Sequence, residues 1–173
     1  MLTAMVLVGP RPAGPTPHAA VDLVVCVWAA ALAVVDIRER RLPRVLTLPA
    51  YAVGACLLFA ALADGGRDAL PRVVVALTGA VVLRLVYVAA RALSPGGMGL
   101  GRGDVTLSAP LGGWLAWHGW EAWVLGAWAG FALSGLTAAV LLVARRVQRD
   151  TALPHGPPML LGAVLAALAA HVG

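Results

Sequence analysis

Charged residues are scarce in this sequence, and lysine is absent altogether. Of the 173 residues, 12% are charged and 61% are hydrophobic, whereas soluble domains carry about 25% charged and about 45 to 50% apolar residues. The mean hydropathy is +0.88. This balance excludes an ordinary soluble domain and predicts an integral membrane protein, with the lipid bilayer as its partner.

Only two cysteines occur, and neither belongs to a recognisable ligand motif. Cys26 and Cys56 lie within apolar runs, and the sequence holds no CxxC pair and no Cys/His cluster with zinc spacing. We therefore expect neither a metal nor a cofactor, and both cysteines should pack as small buried residues. The 13 basic residues, all arginines, are scattered through short loops, which argues against nucleic acid as a partner.

The first 18 residues lack the features of a targeting segment. Their apolar run, residues 2–8, has no basic flank and is followed by prolines at positions 10, 12, 15 and 17. A signal peptide needs a basic flank and a longer apolar region. Residues 1–18 are therefore expected to form a flexible N-terminal tail, and residues 19–173 a single polytopic membrane domain.

Six apolar runs are predicted to form membrane-spanning helices. About 20 residues span the hydrocarbon core, so runs of about 17 to 25 residues qualify. The fourth run is short and contains Pro110, Gly112 and Gly113, so it is expected to be tilted or kinked. The predicted fold class is an all-α integral membrane protein, a six-transmembrane-helix bundle. The runs cover residues 19–37, 45–63, 69–93, 104–118, 120–144 and 155–172.

Arginines are distributed unevenly between the two ends of these helices. Nine lie around the loops after helices 1, 3 and 5, three lie on the other side, and Arg84 lies inside helix 3. Because cytoplasmic loops carry the excess of positive charge, both termini are expected outside. Asp36 and Asp104 are separated by two complete spans, so both are expected at the cytoplasmic face. The tryptophan-rich turn after helix 4, with His118, is expected at the outer surface.

Two carboxylates adjoin apolar runs. Asp36 ends the first run, and Asp104 follows the glycine-rich stretch GGMGLGRG. Inserting an ionisable residue into the membrane costs about 2.5 to 3.5 kcal/mol at the centre of a helix. An ionisable residue next to a membrane-length helix therefore indicates function. Each also has a structural interpretation, Asp104 as the N-cap of helix 4 and Asp36 as the partner of Arg40. The glycines lack a nucleotide-binding pattern but allow another chain to approach closely.

Three short motifs, in order along the chain, resemble those of the type IV prepilin peptidases, which are GxGD membrane aspartyl proteases. The first is an aspartate followed seven residues later by proline, the second is GxGD, and the third is a Pro-x-Gly-Pro segment at the last helix. The resemblance extends from about residue 28 to residue 162. The matching residues are Asp36 with Pro43; Gly101, Arg102, Gly103 and Asp104; and Pro154, Gly156 and Pro157.

This resemblance implies an aspartic-type endopeptidase in the plasma membrane of a prokaryote, with no metal or cofactor. Asp36 and Asp104 would form the catalytic pair, and the other matching residues would bind substrate or shape the site. The substrates would be prepilins or pilin-like precursors of type IV pilus and secretion systems, cut after a cytoplasmic leader. No cysteine-rich insertion separates helices 1 and 2, which implies that N-methyltransferase activity is absent.

Three positions depart from the family pattern: Arg44 replaces Asn or Asp, Thr106 replaces Lys, and His155 replaces Phe. They leave open a second hypothesis, a non-catalytic membrane scaffold or small transporter with the same fold. Another class of intramembrane GxGD protease is a third hypothesis, which the proline seven residues after Asp36 disfavours. Arg84 is interpreted either as a snorkelling side chain or as a partner of one of the aspartates.

Overall fold

The computed structural model describes residues 18–39, 44–63, 65–94, 100–146 and 155–172, with side chains described from Val21, Thr47 and His155 onward in the first, second and last of these ranges. Within them the chain is helical and contains no strand. Residues 1–17 of the expected tail, Pro43, Pro154 and most of the glycine-rich stretch lie outside the described residues. The helices are α1 (His18–Glu39), α2 (Arg44–Ala63), α3 (Ala69–Leu93), α4 (Arg102–Trp117), α5 (Trp120–Val143) and α6 (Gly156–Val172).

The six apolar runs are thus confirmed as helices in the described part of the chain. Two of them, α3 and α5, are long and apolar enough to cross a membrane, and α2 and α6 contain shorter apolar stretches. Membrane crossing by α1, α2, α4 and α6 stays a prediction. The coarse fold class, an all-helical protein with spans of membrane length, is what the structure shows.

Local chemistry sets the helix ends. The α3 helix ends where the Ser94 hydroxyl donates to the Ala90 carbonyl at 2.8 Å, immediately before Pro95 in the sequence. The α4 and α5 helices are joined by a tight turn in which Gly119 has φ of +116°. Only glycine adopts such a backbone conformation without strain, so this turn holds the end of α4 beside the start of α5.

Two helix pairs pack closely because glycines lie where the helices cross. In the α3–α4 pair, a Cβ added to Gly79 would lie 2.3 Å from the Ala116 Cβ, and one added to Gly112 would lie 2.5 Å from the Gly79 carbonyl oxygen. In the α5–α6 pair, a Cβ on Gly162 would lie 2.6 Å from the Gly130 nitrogen. Small residues at crossings let helix backbones approach closely in an apolar environment. These two pairs make the most extensive helix contacts in the described structure.

The core lies where the two pairs face each other and α1 packs against α6. Tyr87 of α3 is 1% exposed and contacts Phe131 of α5, with ring centroids 4.9 Å apart. The largest side chains with almost no exposure come from α1, α3, α4 and α6: Tyr87, Leu32, Leu83, Leu107, Leu111, Leu115 and Leu160. Apolar side chains also cover the outside, for example Phe59, Trp128 and Val143. An outward-facing apolar surface of this extent suits contact with lipid.

Proline 110 lies inside α4 and removes one backbone donor from the helix. The carbonyl that its N–H would have bonded, that of Thr106, accepts instead from the Tyr51 hydroxyl of α2 at 2.5 Å. Arg84 donates to the Tyr51 oxygen and to the Val105 carbonyl, both at 3.3 Å. Neighbouring helices commonly satisfy groups freed by proline in membrane proteins. Arg84 thus joins α3 to α2 and α4 through these two hydrogen bonds, and since it is exposed, its interpretation as a snorkelling side chain or as a partner of an aspartate stays a prediction.

The expectation of two buried cysteines is wrong for one of them. Cys56 is exposed on α2, and Cys26 of α1 is partly buried. Cys56 shares its helix with other outward-facing apolar residues such as Leu57 and Phe59. A small apolar side chain meets no penalty on a surface of that kind, so burial was not required.

Candidate active site

Asp36 lies in the last turn of α1 and is only 5% exposed. Its carboxyl interacts with the backbone N–H of Gly156, the first residue of α6. Helix N-termini present unpaired N–H groups and a partial positive charge, so they favour a carboxylate. The other carboxyl oxygen of Asp36, Oδ2, is buried and receives no hydrogen bond from the described residues. Buried polar atoms usually have a partner, and a water molecule or a substrate group could supply one here.

Asp104 lies in the first turn of α4 and is also 5% exposed. The expectation that it is the N-cap is wrong: α4 begins at Arg102, and Gly101 is the N-cap. The Gly101 N–H donates to Asp104 Oδ2 at 2.8 Å. A Cβ on Gly101 would lie 3.2 Å from that same oxygen, so the glycine leaves room for the carboxyl to fold back over the helix start.

The fold brings Asp36 and Asp104 to the same end of the bundle although 68 positions separate them. They are close enough for the charge of Asp36 to act on the Asp104 carboxyl. One lies at the end of α1 and the other at the start of α4, as expected from the two spans between them. Burial and a neighbouring like charge both favour the protonated form of a carboxyl, so one member of such a pair can stay protonated while the other is ionised. This gives one group that can accept a proton and one that can donate a hydrogen bond.

An arginine near the pair comes from α3 rather than from the GxGD motif. The charge of Arg91 acts on Asp104, and its Nη1 donates to the Leu100 carbonyl. Arg102 is exposed at the start of α4. Arg91 was missed because it resembles any other arginine of a cytoplasmic loop in the sequence. Its contact with Leu100 attaches the start of the GxGD segment to the end of α3.

His155 is buried beside the pair and bridges two helices. It is 7% exposed, and its Nε2 lies 2.9 Å from the Tyr87 hydroxyl of α3. Its Nδ1 lies 2.6 Å from the Ser134 hydroxyl of α5. Tyr87 in turn is close enough for the Asp104 charge to act on it. A polar chain therefore runs from Ser134 through His155 and Tyr87 towards Asp104, and Tyr87 and Ser134 had no signal in the sequence.

The remaining residues of the three motifs are placed unevenly. Gly156 and Pro157 open α6, where proline is favoured because a first-turn N–H has no helical partner anyway. Gly103 is half-buried beside Asp104. Thr106 uses its hydroxyl locally, donating to the Arg102 carbonyl at 3.0 Å. Pro43, Pro154 and the Arg44 side chain lie outside the described residues, so their parts in the site stay predictions.

The described residues form a helical protein with two helices of membrane length and two buried carboxyls, one at the end of α1 and one at the start of α4. Residues 23–168 match the Type IV leader peptidase family. Since that match covers most of the chain, the chain belongs to this family. No solved structure matches it.

Three curated relatives, each named prepilin leader peptidase/N-methyltransferase, are similar to this chain. The one from Dickeya chrysanthemi is 42% identical over 128 residues, covering 73% of this chain and 42% of that protein. The one from Pectobacterium carotovorum subsp. carotovorum is 36% identical over 135 residues, covering 77% and 45%. The one from Aeromonas salmonicida (strain A449) is 34% identical over 143 residues, covering 80% and 45%. The chain thus spans less than half the length of these relatives.

Proposed function

We propose that this chain is a membrane aspartic endopeptidase that removes the leader peptide of type IV prepilins or pilin-like precursors, with Asp36 and Asp104 as the catalytic pair. The observation that supports it best is that two buried carboxyls from distant parts of the sequence lie close enough for the charge of one to act on the other. Membership of the Type IV leader peptidase family supports the same activity. The relatives' names supply the substrate class.

In the proposed reaction a water molecule lies between the two carboxyls and the scissile peptide bond. The ionised carboxylate takes a proton from this water, whose oxygen then attacks the carbonyl carbon. The protonated carboxyl donates a hydrogen bond to the carbonyl oxygen and stabilises the negative charge that develops there. Collapse of the tetrahedral intermediate breaks the C–N bond, and the leaving nitrogen receives a proton from the pair.

The finer topology belongs to this proposal. Six helices crossing the plasma membrane of a prokaryote would put Asp36 and Asp104 at the cytoplasmic face, next to most of the arginines. A precursor whose leader stays in the cytoplasm would present the start of its apolar helix at that depth. Gly101 and Gly103 leave the backbone of the GxGD segment open to close approach by a peptide.

We propose peptidase activity without N-methyltransferase activity. The relatives carry both in their names, but in this chain only residues 40–43 separate α1 from α2. The resemblance places the cysteine-rich methyltransferase segment at that junction. Both cysteines of this chain, Cys26 and Cys56, lie inside helices instead.

The test is cleavage of a pilin-like precursor co-expressed with the protein. Asp36→Asn and Asp104→Asn are each expected to lower the cleavage rate at least about 100-fold, the lower range for loss of a general acid or base. Both variants should still fractionate with the membrane. Asp68→Asn, which changes an exposed aspartate at the start of α3, is the matched control and should cleave at the native rate.

The same assay separates the proposed enzyme from the scaffold or transporter hypothesis. A scaffold would leave the precursor uncut by the native protein as well. Native-rate cleavage by either aspartate variant would instead remove the pair from the mechanism. EDTA, applied at a temperature well below unfolding, is expected to leave cleavage unchanged, because no metal takes part in the proposed reaction.

A further inference from the structure

Three helices that form the candidate active site meet again at the opposite end of the bundle. Asp22 of α1, His118 at the end of α4 and His171 of α6 each present one ligand atom, and these atoms lie within 4.8 Å of one another. Asp22 precedes Asp36 by 14 residues on α1, so about 21 Å separates the two sites at 1.5 Å per residue. The expectation that His118 lies at the surface is wrong, since its side chain is 8% exposed.

The carboxyl of Asp22 is contacted on both oxygens by imidazole nitrogens. His118 Nε2 lies 3.1 Å from Oδ1, and His171 Nε2 lies 3.1 Å from Oδ2. The Trp114 indole N–H also donates to Oδ1 at 2.8 Å. The carboxyl is thus placed by side chains from α4 and α6, far from the ends of those helices that reach Asp36 and Asp104.

The ring hydrogen of neutral His171 lies on Nδ1, which leaves Nε2, the nitrogen close to Asp22, without a hydrogen. Its Nδ1 lies 3.0 Å from the Ala167 carbonyl oxygen, which can only accept, so Nδ1 carries the hydrogen. In a neutral imidazole the other nitrogen then offers only a lone pair. Nε2 lies 3.1 Å from Asp22 Oδ2 but is not aligned with it as in a hydrogen bond, since that buried oxygen receives no hydrogen bond from the described residues. Two acceptor atoms 3.1 Å apart repel each other unless a cation, either a proton or a metal ion, lies near both.

The surroundings favour the metal ion. A ligating histidine usually donates its other ring N–H to a carbonyl, and a ligating carboxylate usually accepts an outer hydrogen bond; the Ala167 carbonyl and the Trp114 indole fill these positions. Adjacent ligands of a tetrahedral ion with bonds of about 2.0 to 2.1 Å lie about 3.4 Å apart; here each imidazole nitrogen lies 3.1 Å from one oxygen of Asp22, and one ligand atom from each residue lies within 4.8 Å of the others. His171, with a side chain 42% exposed, gives the ion a path from solvent.

We propose that Asp22, His118 and His171 form a Zn²⁺-binding site, with water as the fourth ligand. Two imidazoles and one carboxylate match the nitrogen and oxygen ligands that Zn²⁺ takes in tetrahedral sites. Because the three ligands come from α1, α4 and α6, the ion joins the α3–α4 pair to the α5–α6 pair and to α1. The proposed role is therefore to hold together the helices that carry Asp36 and Asp104, with one coordination position left to water.

The experiment titrates Zn²⁺ into the purified, untagged, full-length chain in detergent after metal removal, in competition with a chromophoric chelator. The native chain is expected to bind one Zn²⁺ per molecule. His171→Asn removes a ligand at a half-exposed position, so the fold should survive while affinity falls more than tenfold. Trp114→Phe keeps an aromatic ring but loses the outer hydrogen bond, and the affinity is expected to fall about 10- to 100-fold.

Thermal unfolding gives a second readout that does not depend on cleavage. Zn²⁺ should raise the Tm of the native chain and of the control Asp68→Asn, but not that of His171→Asn, because ligand binding to the folded state stabilises it. Failure of the native chain to bind one Zn²⁺ against the competitor would overturn the proposal and assign the cation to a proton. Equal Zn²⁺ affinity in the native chain and His171→Asn would overturn it as well.

Discussion

His155 occupies a position where the resemblance expects phenylalanine, and its environment explains how the substitution is tolerated. Its two ring nitrogens form hydrogen bonds with the hydroxyls of Tyr87 and Ser134, so both polar atoms of the buried imidazole have a partner. Its ring also lies 5.4 Å from that of Phe131, centroid to centroid. The histidine therefore keeps the aromatic packing and adds two hydrogen bonds. None of the hydrogen bonds between described residues joins His155 to either proposed catalytic carboxyl.

Replacing this residue, His155→Phe, is expected to lower the free energy of unfolding by about 1 to 3 kcal/mol, because Tyr87 and Ser134 lose a buried partner. Cleavage should continue, since the aspartates are untouched. The double variant His155→Phe/Tyr87→Phe should recover part of the loss, because removing both partners leaves fewer unpaired groups. Thermal unfolding in detergent measures this, and a double variant less stable than the single one would contradict the network.

At the scale of single residues, the sequence predicted those functional side chains that are energetically costly to place in an apolar helix. It did not predict contacts that depend on how the helices are rotated against each other. Asp36 and Asp104 stood out because carboxylates are rare in apolar runs. Asp22 is just as unusual, but its histidine partners lie 96 and 149 positions away, at the ends of two other helices. No linear spacing rule joins such ligands, so the sequence predicted no metal site.

The two glycine-mediated crossings organise the elements of this fold. At the α5–α6 crossing a Cβ on Gly162 would meet the Gly130 backbone at 2.6 Å, whereas one on Gly135, further along α5, would meet nothing within 4 Å. Gly135 therefore serves as a control on the same helix pair. Packing cost can be separated in this way from the general effect of replacing glycine in a helix.

Gly162→Ala is expected to destabilise the protein by about 1 to 3 kcal/mol, since backbone atoms must move to admit the methyl group. Gly135→Ala should be neutral or stabilise by about 0.5 to 1 kcal/mol, because alanine loses less conformational freedom in a helix than glycine. Thermal unfolding of both variants in the same detergent provides the comparison. Equal stability of the two would show that the α5–α6 crossing is looser than the structure indicates.

The positions of the helices could be predicted from the sequence, whereas the contacts between helices could not. Apolar run length and turn residues predicted each helix closely, because a spanning segment must satisfy its backbone internally. The start of α4 was misplaced from Arg102 to Asp104, since a carboxylate that folds back from the third position resembles an N-cap in sequence. Gly79 and Gly162 carried no sign of their crossings, because small residues are common throughout these helices.

At the scale of the whole molecule, the two polar clusters lie at opposite ends of one bundle. Asp36 and Asp104 lie with the arginine-rich loops, whereas Asp22, His118 and His171 lie with the tryptophan-rich turn. The proposed orientation therefore puts the aspartate pair in the cytoplasm and the proposed Zn²⁺ site at the outer face. Each site becomes a marker for one side of the membrane.

Cysteine labelling tests this orientation in a Cys26→Ala/Cys56→Ala background. Glu39→Cys reports the end of α1 beside Asp36, and Arg67→Cys reports the turn before α3; both positions are exposed. A membrane-impermeant maleimide applied to intact spheroplasts should label Arg67→Cys, and should label Glu39→Cys only after permeabilisation. The reverse pattern would invert the topology, and labelling of both from outside would contradict a span between them.

The two aspartates are associated with different helix pairs, one packed at the α3–α4 crossing at Gly79 and the other at the α5–α6 crossing at Gly162. Asp104 belongs to α4 of the first helix pair, and Asp36 interacts with Gly156 of α6 in the second. Helices answer a change in hydrocarbon thickness by tilting, and a differential tilt of the two pairs would widen or narrow the gap between the carboxyls while leaving each crossing intact. For the proposed peptidase, the distance between the two carboxyls would therefore depend on the thickness of the surrounding lipid as well as on the polypeptide.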